Sequence, residues 1–166
     1  MAPAITRTTL GAWLLKANPA VWDLRRFLAD GETRLTSWSV RRGYRSALMR
    51  PGDPVVFWLS GPGTGGLTRG VWGLGHVVAE AEPWDEAEAG WWLDDTARRG
   101  LRARVRVDVP LLEQPLPAAD LRAAGLTDLE VQRMPQGSNP SWVSRDQLEV
   151  LTELLPDWPE PPPPVG

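Results

Sequence analysis

The stretch Gly11-Ala12-Trp13-Leu14-Leu15-Lys16-Ala17-Asn18-Pro19-Ala20-Val21-Trp22-Asp23 decides the fold. Trp13-Leu14-Leu15 is a short apolar run, which predicts a buried strand rather than a helix. Pro19 ends it, because proline cannot donate to a ladder and holds the residue before it extended. Lys16 and Asn18 therefore fall at the open end of a central strand, where polar side chains are held rigidly and still reach a ligand. About twenty residues on, Leu35-Thr36-Ser37-Trp38-Ser39-Val40 answers this strand. There Trp38 sits among small hydroxyl residues, outside any run of aliphatics.

Working outward, Val21 to Asp30 predicts a short helix or turn, with Trp22, Leu24, Phe27 and Leu28 at helical spacing and Gly31 as its end. Leu35–Val40 predicts a brief strand and Arg41–Met49 a helix, closed by the turn Pro51-Gly52-Asp53. Val55–Leu59 is a continuous β-branched and aromatic run, a buried strand. The glycine-rich segment Ser60–Gly70 then connects to a strand over Val71–Ala79. Gly73 and Gly75 inside that strand predict bending or close backbone approach. Leu101–Val109 alternates, with Leu101, Ala103, Val105, Val107 and Val109 on one face and Arg102, Arg104, Arg106 and Asp108 on the other. It predicts a strand with one buried and one wet face. Pro117–Ala124 predicts a helix ended by Gly125. Met134–Ser141 is an irregular loop. Ser144 with Gln147 has the capping-box spacing, opening a last helix with Leu148, Leu151, Leu154 and Leu155 on its apolar face.

With 166 residues the chain is long enough for one domain with a real core. The expected division is a disordered lead over residues 1–10, a domain over 11–156 and a Pro-rich tail over 157–166. Cysteine is absent, which excludes a disulfide framework, a thiolate nucleophile and a cysteine-type zinc site. No stretch has the length and apolarity of a signal peptide or a membrane span, so a cytoplasmic protein is expected. Ten tryptophans stand against one tyrosine and two phenylalanines. The formal charge of −3 hides an asymmetry: +6 over residues 1–50, −5 over 51–100 and −4 over 101–166. A basic first third in an acidic chain is an electrostatic footprint for a polyanion.

Catalytic chemistry finds little support. Gly61 and Gly66 have the spacing of a phosphate-binding loop, but Leu67 stands where the lysine is required. The single histidine, His76, lies inside a predicted strand without a nucleophile elbow. One histidine without cysteine makes no metal site, and the paired acids Asp94-Asp95 and Glu80 with Glu82 lie in an acidic segment suited to solvation. No catalytic residue, metal or cofactor is expected. The aromatic and polar residues remain. A tryptophan face can stack a nucleobase, at about 1–3 kcal/mol per base. Trp38 in its hydroxyl-rich setting suits such a wall, whereas Trp13, Trp58 and Trp142 suit a core.

Several segments, in order, resemble the EVE domain. They are Trp13–Pro19, the Trp38 segment, Met49-Arg50-Pro51-Gly52-Asp53 running into Pro54–Gly61, Val71-Trp72-Gly73-Leu74-Gly75-His76-Val77, and Met134-Pro135-Gln136-Gly137-Ser138-Asn139 before a closing helix. The resemblance covers roughly residues 11–155. It implies a PUA-like α+β fold, a mixed sheet curled into a pseudo-barrel flanked by short helices, with kinship to the YTH readers of methylated adenine. It implies an aromatic cage for a modified base, most often a modified cytosine such as 5-methylcytosine flipped from DNA. On that resemblance Trp38 matches the cage tryptophan and Ser39 its polar neighbour. Lys16 and Asn18 match the strand-end polar pair, Ser60 and Gly61 the small pair after the Pro-Gly-Asp strand, and Gln136, Gly137 and Ser138 the late loop. Trp72, Trp84, Trp91 and Trp92 are candidates for a second aromatic wall, with Trp72 carried in the expected ligand-binding set. Arg41, Arg42 and Arg45 are expected to hold phosphates. The expected function is a non-enzymatic reader of a modified nucleobase in DNA, serving beside a separately encoded nuclease. The alternatives are a reader of modified RNA, or a protein-interaction module built on Trp84, Trp91, Trp92 and the tail.

Overall fold

A computed structural model of the chain describes residues 5–61, 65–84, 91–93 and 102–163. It contains one mixed six-stranded sheet and five short helices among those residues. The strands are β1 (Leu10–Ala17), β2 (Arg34–Arg41), β3 (Pro54–Leu59), β4 (Gly70–Pro83), β5 (Arg102–Pro117) and β6 (Ser141–Ser144). The helices are α1 (Leu24–Ala29), α2 (Tyr44–Leu48), α3 (Ala118–Ala123), α4 (Glu130–Arg133) and α5 (Arg145–Leu154). The sheet order is β2-β5-β4-β3-β1-β6. Only β1 and β3 run parallel, with Trp13 opposite Val55 and Lys16 opposite Trp58.

The apolar run of β1 reflects burial on both of its faces. Trp13, Leu15 and Ala17 join one core cluster with Trp38, Phe57 and Val105. Ala12 and Leu14 join a second with Val56, Trp58, Leu121 and Leu151. Helices α3 and α5 cover this second side, and Trp22 and Phe27 fill the first. The expected core residues Trp13, Trp58 and Trp142 are all buried.

The sheet curls but is not a closed barrel. Its edge strands β2 and β6 are joined through the loop over residues 134–140, where Arg41 N donates to Asn139 O at 2.8 Å. The glycines of β4 mark close approach, as their place in a strand suggested. A Cβ on Gly75 would collide with Asp108 O and stand 2.6 Å from Val109 Cα.

Four expectations need revision. Residues 5–10, assigned to a disordered lead, are tied to the fold at three points: Ile5 and Leu10 are buried, and the Arg7 guanidinium grips Asp53 at 2.6 and 2.8 Å. Strand β5 runs to Pro117, well beyond Val109, because the first residues of β4 pair with that extension, Gly73 opposite Leu111, Val71 opposite Leu116 and Gly70 opposite Pro117. The wet face of β5 is not uniformly wet: Arg104 is buried, 3.3 Å from Glu82 and over the Trp84 ring. The Pro-rich tail is partly docked, since Trp158 packs on the second cluster and donates to Gly75 O at 2.8 Å. The Asp94-Asp95 pair, Leu101 and most of the acidic segment lie outside the described residues.

The capping box holds as the spacing implies. Ser144 Oγ accepts from Gln147 N at 3.2 Å, and the Gln147 side chain accepts from Ser144 N at 3.0 Å. The short strand β6 directly before it has no alternation long enough to be seen in sequence.

Candidate functional site

The open end of β1 faces a cavity of about 370 Å³. Lys16, Asn18 and Ser60 line it from the ends of the parallel pair β1 and β3. Trp38 of β2, Trp92 and Arg102 of β5 line it from the opposite edge, and Gln136, Gly137 and Asn139 come from the 134–140 loop. Parallel strands end together, so one edge of the sheet presents several polar side chains at once.

The loop is tied to β1 by a side chain acting as backbone. Asn139 Nδ2 donates to Lys16 O at 3.0 Å, and Asn139 Oδ1 accepts from Lys16 N at 2.9 Å. Lys16 Nζ donates to Pro135 O at 2.7 Å, a second tie between the same partners. An ammonium has three donors, so two protons of Lys16 are left for a ligand. Burial pulls the Lys16 ammonium below its ordinary lysine range, with Glu130 opposing that shift. Burial likewise lowers Arg102, and Arg41 nearby adds to the effect. A guanidinium starts so far above neutrality that Arg102 stays a cation. Its Nε donates to Ser39 Oγ at 3.1 Å.

The aromatic wall belongs to the core. Trp38 is 1% exposed, with ring centroids 4.9 Å from Trp22, 5.2 Å from Phe57 and 4.8 Å from Trp92. It is both a core residue and a lining residue, so the choice between those roles does not arise. Its indole N–H is buried and has no partner among the described residues. Trp92 is half-buried and held by two strand-like hydrogen bonds beside it: Asp23 N to Trp91 O and Leu93 N to Val21 O, both 2.8 Å.

Of the expected ligand-binding residues, Trp38, Lys16, Asn18, Ser60, Gln136 and Gly137 meet at this cavity. Four do not line it. Trp72 is buried elsewhere in the core, its Nε1 donating to Thr68 O at 2.6 Å; Trp92 stands in its place as the second aromatic. Ser39 is fully buried and bonded to Arg102, so it positions a lining residue rather than lining. Gly61 adopts φ +102° beside Pro19 and Asn18, where it turns the chain away from the strand end. Ser138 lines the neighbouring groove instead. Arg45 is also not the free cation expected: it forms a two-pronged ion pair with Glu130 at 2.6 and 2.8 Å and donates to Pro140 O at 3.0 Å. Burial favours the neutral Glu130 carboxyl, but hydrogen bonds from Arg45 and Ser141 outweigh it and hold the group below its ordinary range.

Sequence reasoning missed Arg102, because an alternating strand gives each outward arginine the same appearance. It also missed the anchoring by Asn139, a turn-forming residue whose distant partner has no local signal. His76 is buried in β4, away from the cavity, and burial lowers its pKa against Asp108 and Glu160. Among the described residues no cluster of three or more His, Cys, Asp or Glu could hold a metal, and no helix is long and apolar enough to cross a membrane.

The fold has relatives among solved structures. A protein from Pseudomonas putida superposes with a TM-score of 0.54 at 21% identity, covering 86% of this chain and 98% of that one. A hypothetical protein from Leishmania major gives 0.53 at 21%, covering 87% and 93%. The human THYN1 protein, solved in complex with 5-methylcytosine-containing DNA, gives 0.52 at 18%, covering 88% and 99%. No curated protein sequence matches the chain significantly. The model of the EVE domain matches residues 11–154. By that match, over the same β1-to-α5 span that builds the cavity, the chain belongs to the EVE domain family.

Proposed function

We propose that the protein reads a modified nucleobase, a modified cytosine in DNA, by accepting it flipped out of the stack into the cavity at the end of β1. One observation carries the reading: two tryptophans, Trp38 and Trp92, line a small cavity together, and the Trp38 N–H is buried without a partner among the described residues. A buried donor left unpaired costs about 1–3 kcal/mol. A base edge carries ring nitrogens and carbonyl oxygens that can satisfy it. The cavity volume lies at the lower end of the range for small-ligand sites, roughly 300–1,000 Å³, which suits a single base.

Lys16 and Arg102 supply positive charge at the rim for the phosphate of the flipped nucleotide. The fold-level likeness to human THYN1 bound to 5-methylcytosine DNA supports the choice of polymer and base. Flipping costs a few kcal/mol, least in single strands or weakened pairs. One buried methyl contributes only about 0.8 kcal/mol, roughly fourfold in affinity. Larger discrimination requires that the unmodified base leave the cavity underfilled or a polar group mispaired. The alternative protein-interaction reading, on Trp84, Trp91, Trp92 and the tail, is less well supported: Trp84 lies against Arg104 and Trp92, Trp91 bonds Asp30 at 2.7 Å, Trp92 lines the cavity, and Trp158 of the tail bonds Gly75.

Binding to short single- and double-stranded DNAs, identical except for cytosine, 5-methylcytosine, 5-hydroxymethylcytosine or N6-methyladenine, tests the proposal, with matched RNAs at the same salt concentration. Preference for a modified cytosine in DNA is the expected result. Equal affinity across the DNA panel overturns it, and preference confined to the RNA arm transfers the reading to RNA.

A further inference from the structure

A second concavity of about 550 Å³ adjoins the base cavity. The two share Gln136, Gly137 and Asn139, so a single loop forms the wall between them. Its other lining includes Arg41 at the end of β2, Arg42 in the turn after it, Tyr44 at the start of α2, and Met134. Tyr44 is 59% exposed and Met134 57% exposed, which places two of the most exposed large apolar side chains of the described residues in one groove. Isolated exposed apolar groups are ordinary; here two of them line one concavity together with cations.

The charge of this groove is unbalanced. Three arginines and one glutamate line it. Glu130 is engaged by Arg45, whereas the Arg41 and Arg42 side chains form no ion pair or hydrogen bond among the described residues. Two exposed guanidinium groups are therefore left over, next to a phenol ring. Flat aromatic surface flanked by free cations is the arrangement that holds a nucleotide by its base and its phosphate.

Resting on the reading of the first cavity as a base site, we infer that this groove is a second nucleotide subsite. It takes the neighbouring nucleotide of the same strand, with Tyr44 stacking its base and Arg41 and Arg42 holding the phosphates on either side. The two concavities adjoin across Gln136, Gly137 and Asn139, which is the ground for assigning their occupants to successive positions of one strand. The protein is then sensitive to the identity of the flanking base through stacking strength, not through hydrogen-bond readout. Arg45 serves as a positioning residue that fixes α2 to α4, and so fixes Tyr44 relative to the loop.

The test uses the intact protein and single-stranded DNA hexamers carrying the base that the panel selects. One hexamer has normal neighbours, and two others carry an abasic site immediately 5′ or 3′ of the modified base. Wild type should bind the normal hexamer about 5- to 150-fold more tightly than one of the two abasic hexamers. Tyr44→Ala should erase that difference while keeping the ratio between modified and unmodified DNA, and Tyr44→Phe should preserve it. Tyr44 is exposed, so neither variant is expected to disturb folding, which a thermal melt checks. Equal wild-type affinity for all three hexamers overturns the subsite, as does a Tyr44→Ala protein that retains the difference. Equal affinity for modified and unmodified hexamers overturns the base-reader proposal instead, and absence of binding to any hexamer overturns both.

Discussion

Asn139 completes the end of β1 as if it were one more strand, its amide exchanging two hydrogen bonds with the backbone of Lys16 at 2.9 and 3.0 Å. The pair joins residues 123 positions apart and holds the loop that lines both concavities. Asn139→Ala leaves the Lys16 N–H and C=O without these partners, at a cost of about 1–3 kcal/mol. Asn139→Asp keeps an acceptor for Lys16 N but sets a carboxylate oxygen against Lys16 O. Both variants should lower the urea midpoint and weaken binding of the preferred DNA. An unchanged midpoint in both would show that the exchange does not hold the loop.

Trp38 and Trp92 should separate in mutagenesis, although both line the cavity. Trp38 is enclosed by Trp22, Phe57 and Trp92, so Trp38→Ala should cost about 3–5 kcal/mol of stability. Its loss of binding would then be uninterpretable. Trp38→Phe removes the orphan N–H while keeping a ring. Trp92→Ala removes stacking surface that is already half-exposed. Trp92→Ala should therefore weaken binding about 5- to 150-fold with a smaller shift in melting temperature. Calorimetric titration beside thermal melts decides the matter; equal melting shifts for the two alanine variants would contradict this division of roles.

The same contrast shows what a linear reading can reach. β1, β3 and the capped α5 are legible because each rests on local pattern: a both-faces-buried run, a Pro-Gly-Asp turn before a β-branched run, a Ser and a Gln three apart. The place of Lys16 and Asn18 at the cavity is legible because Pro19 fixes where the strand stops. Trp92 is less so, since its place depends on a bridge to Trp22 that has no sequence signature. Ser39 and Arg102 are opaque for a related reason. Whether a hydroxyl touches a ligand or only orients a guanidinium is decided by which strand lies beside it, here β5 against β2. The docked N-terminal segment is hidden too, because the acid it grips, Asp53, lies 46 residues away.

Arg42 precedes α2 and Arg45 lies within it, and the two should behave as different kinds of residue. Arg42 has no partner among the described residues and is exposed. Arg42→Ala should reduce the slope of log affinity against log salt by about 0.7–0.9, the contribution of one phosphate contact, without moving the melting temperature. Arg45→Ala removes the charged partner of the half-buried Glu130 and leaves it only the neutral donors Ser141 and Trp142, and should cost about 1–3 kcal/mol of stability. Its salt slope should change less than that of Arg42→Ala. Binding isotherms at four salt concentrations give the slopes, and a larger slope change for Arg45→Ala would reverse the assignment.

Asp53 makes the protein acid-sensitive at a site remote from the cavity. Burial alone would raise its pKa, but hydrogen bonds from Arg7, from Trp13 Nε1 at 2.9 Å and from Arg50 N at 2.9 Å outweigh burial and lower it. A carboxylate whose folded pKa is depressed stabilises the fold fully above its unfolded pKa, near 3.9 for aspartate. That stabilisation is lost as pH falls through the folded value, which lies lower. Asp53→Asn should therefore be less stable than wild type at pH about 6, and the two urea midpoints should converge as the pH is lowered below about 4. Arg7→Ala should reproduce part of the effect, because it removes the largest of the opposing hydrogen bonds while leaving Trp13 and Arg50 in place. Parallel curves for wild type and Asp53→Asn across that range would mean that the Arg7–Asp53 pair does not couple folding to protons.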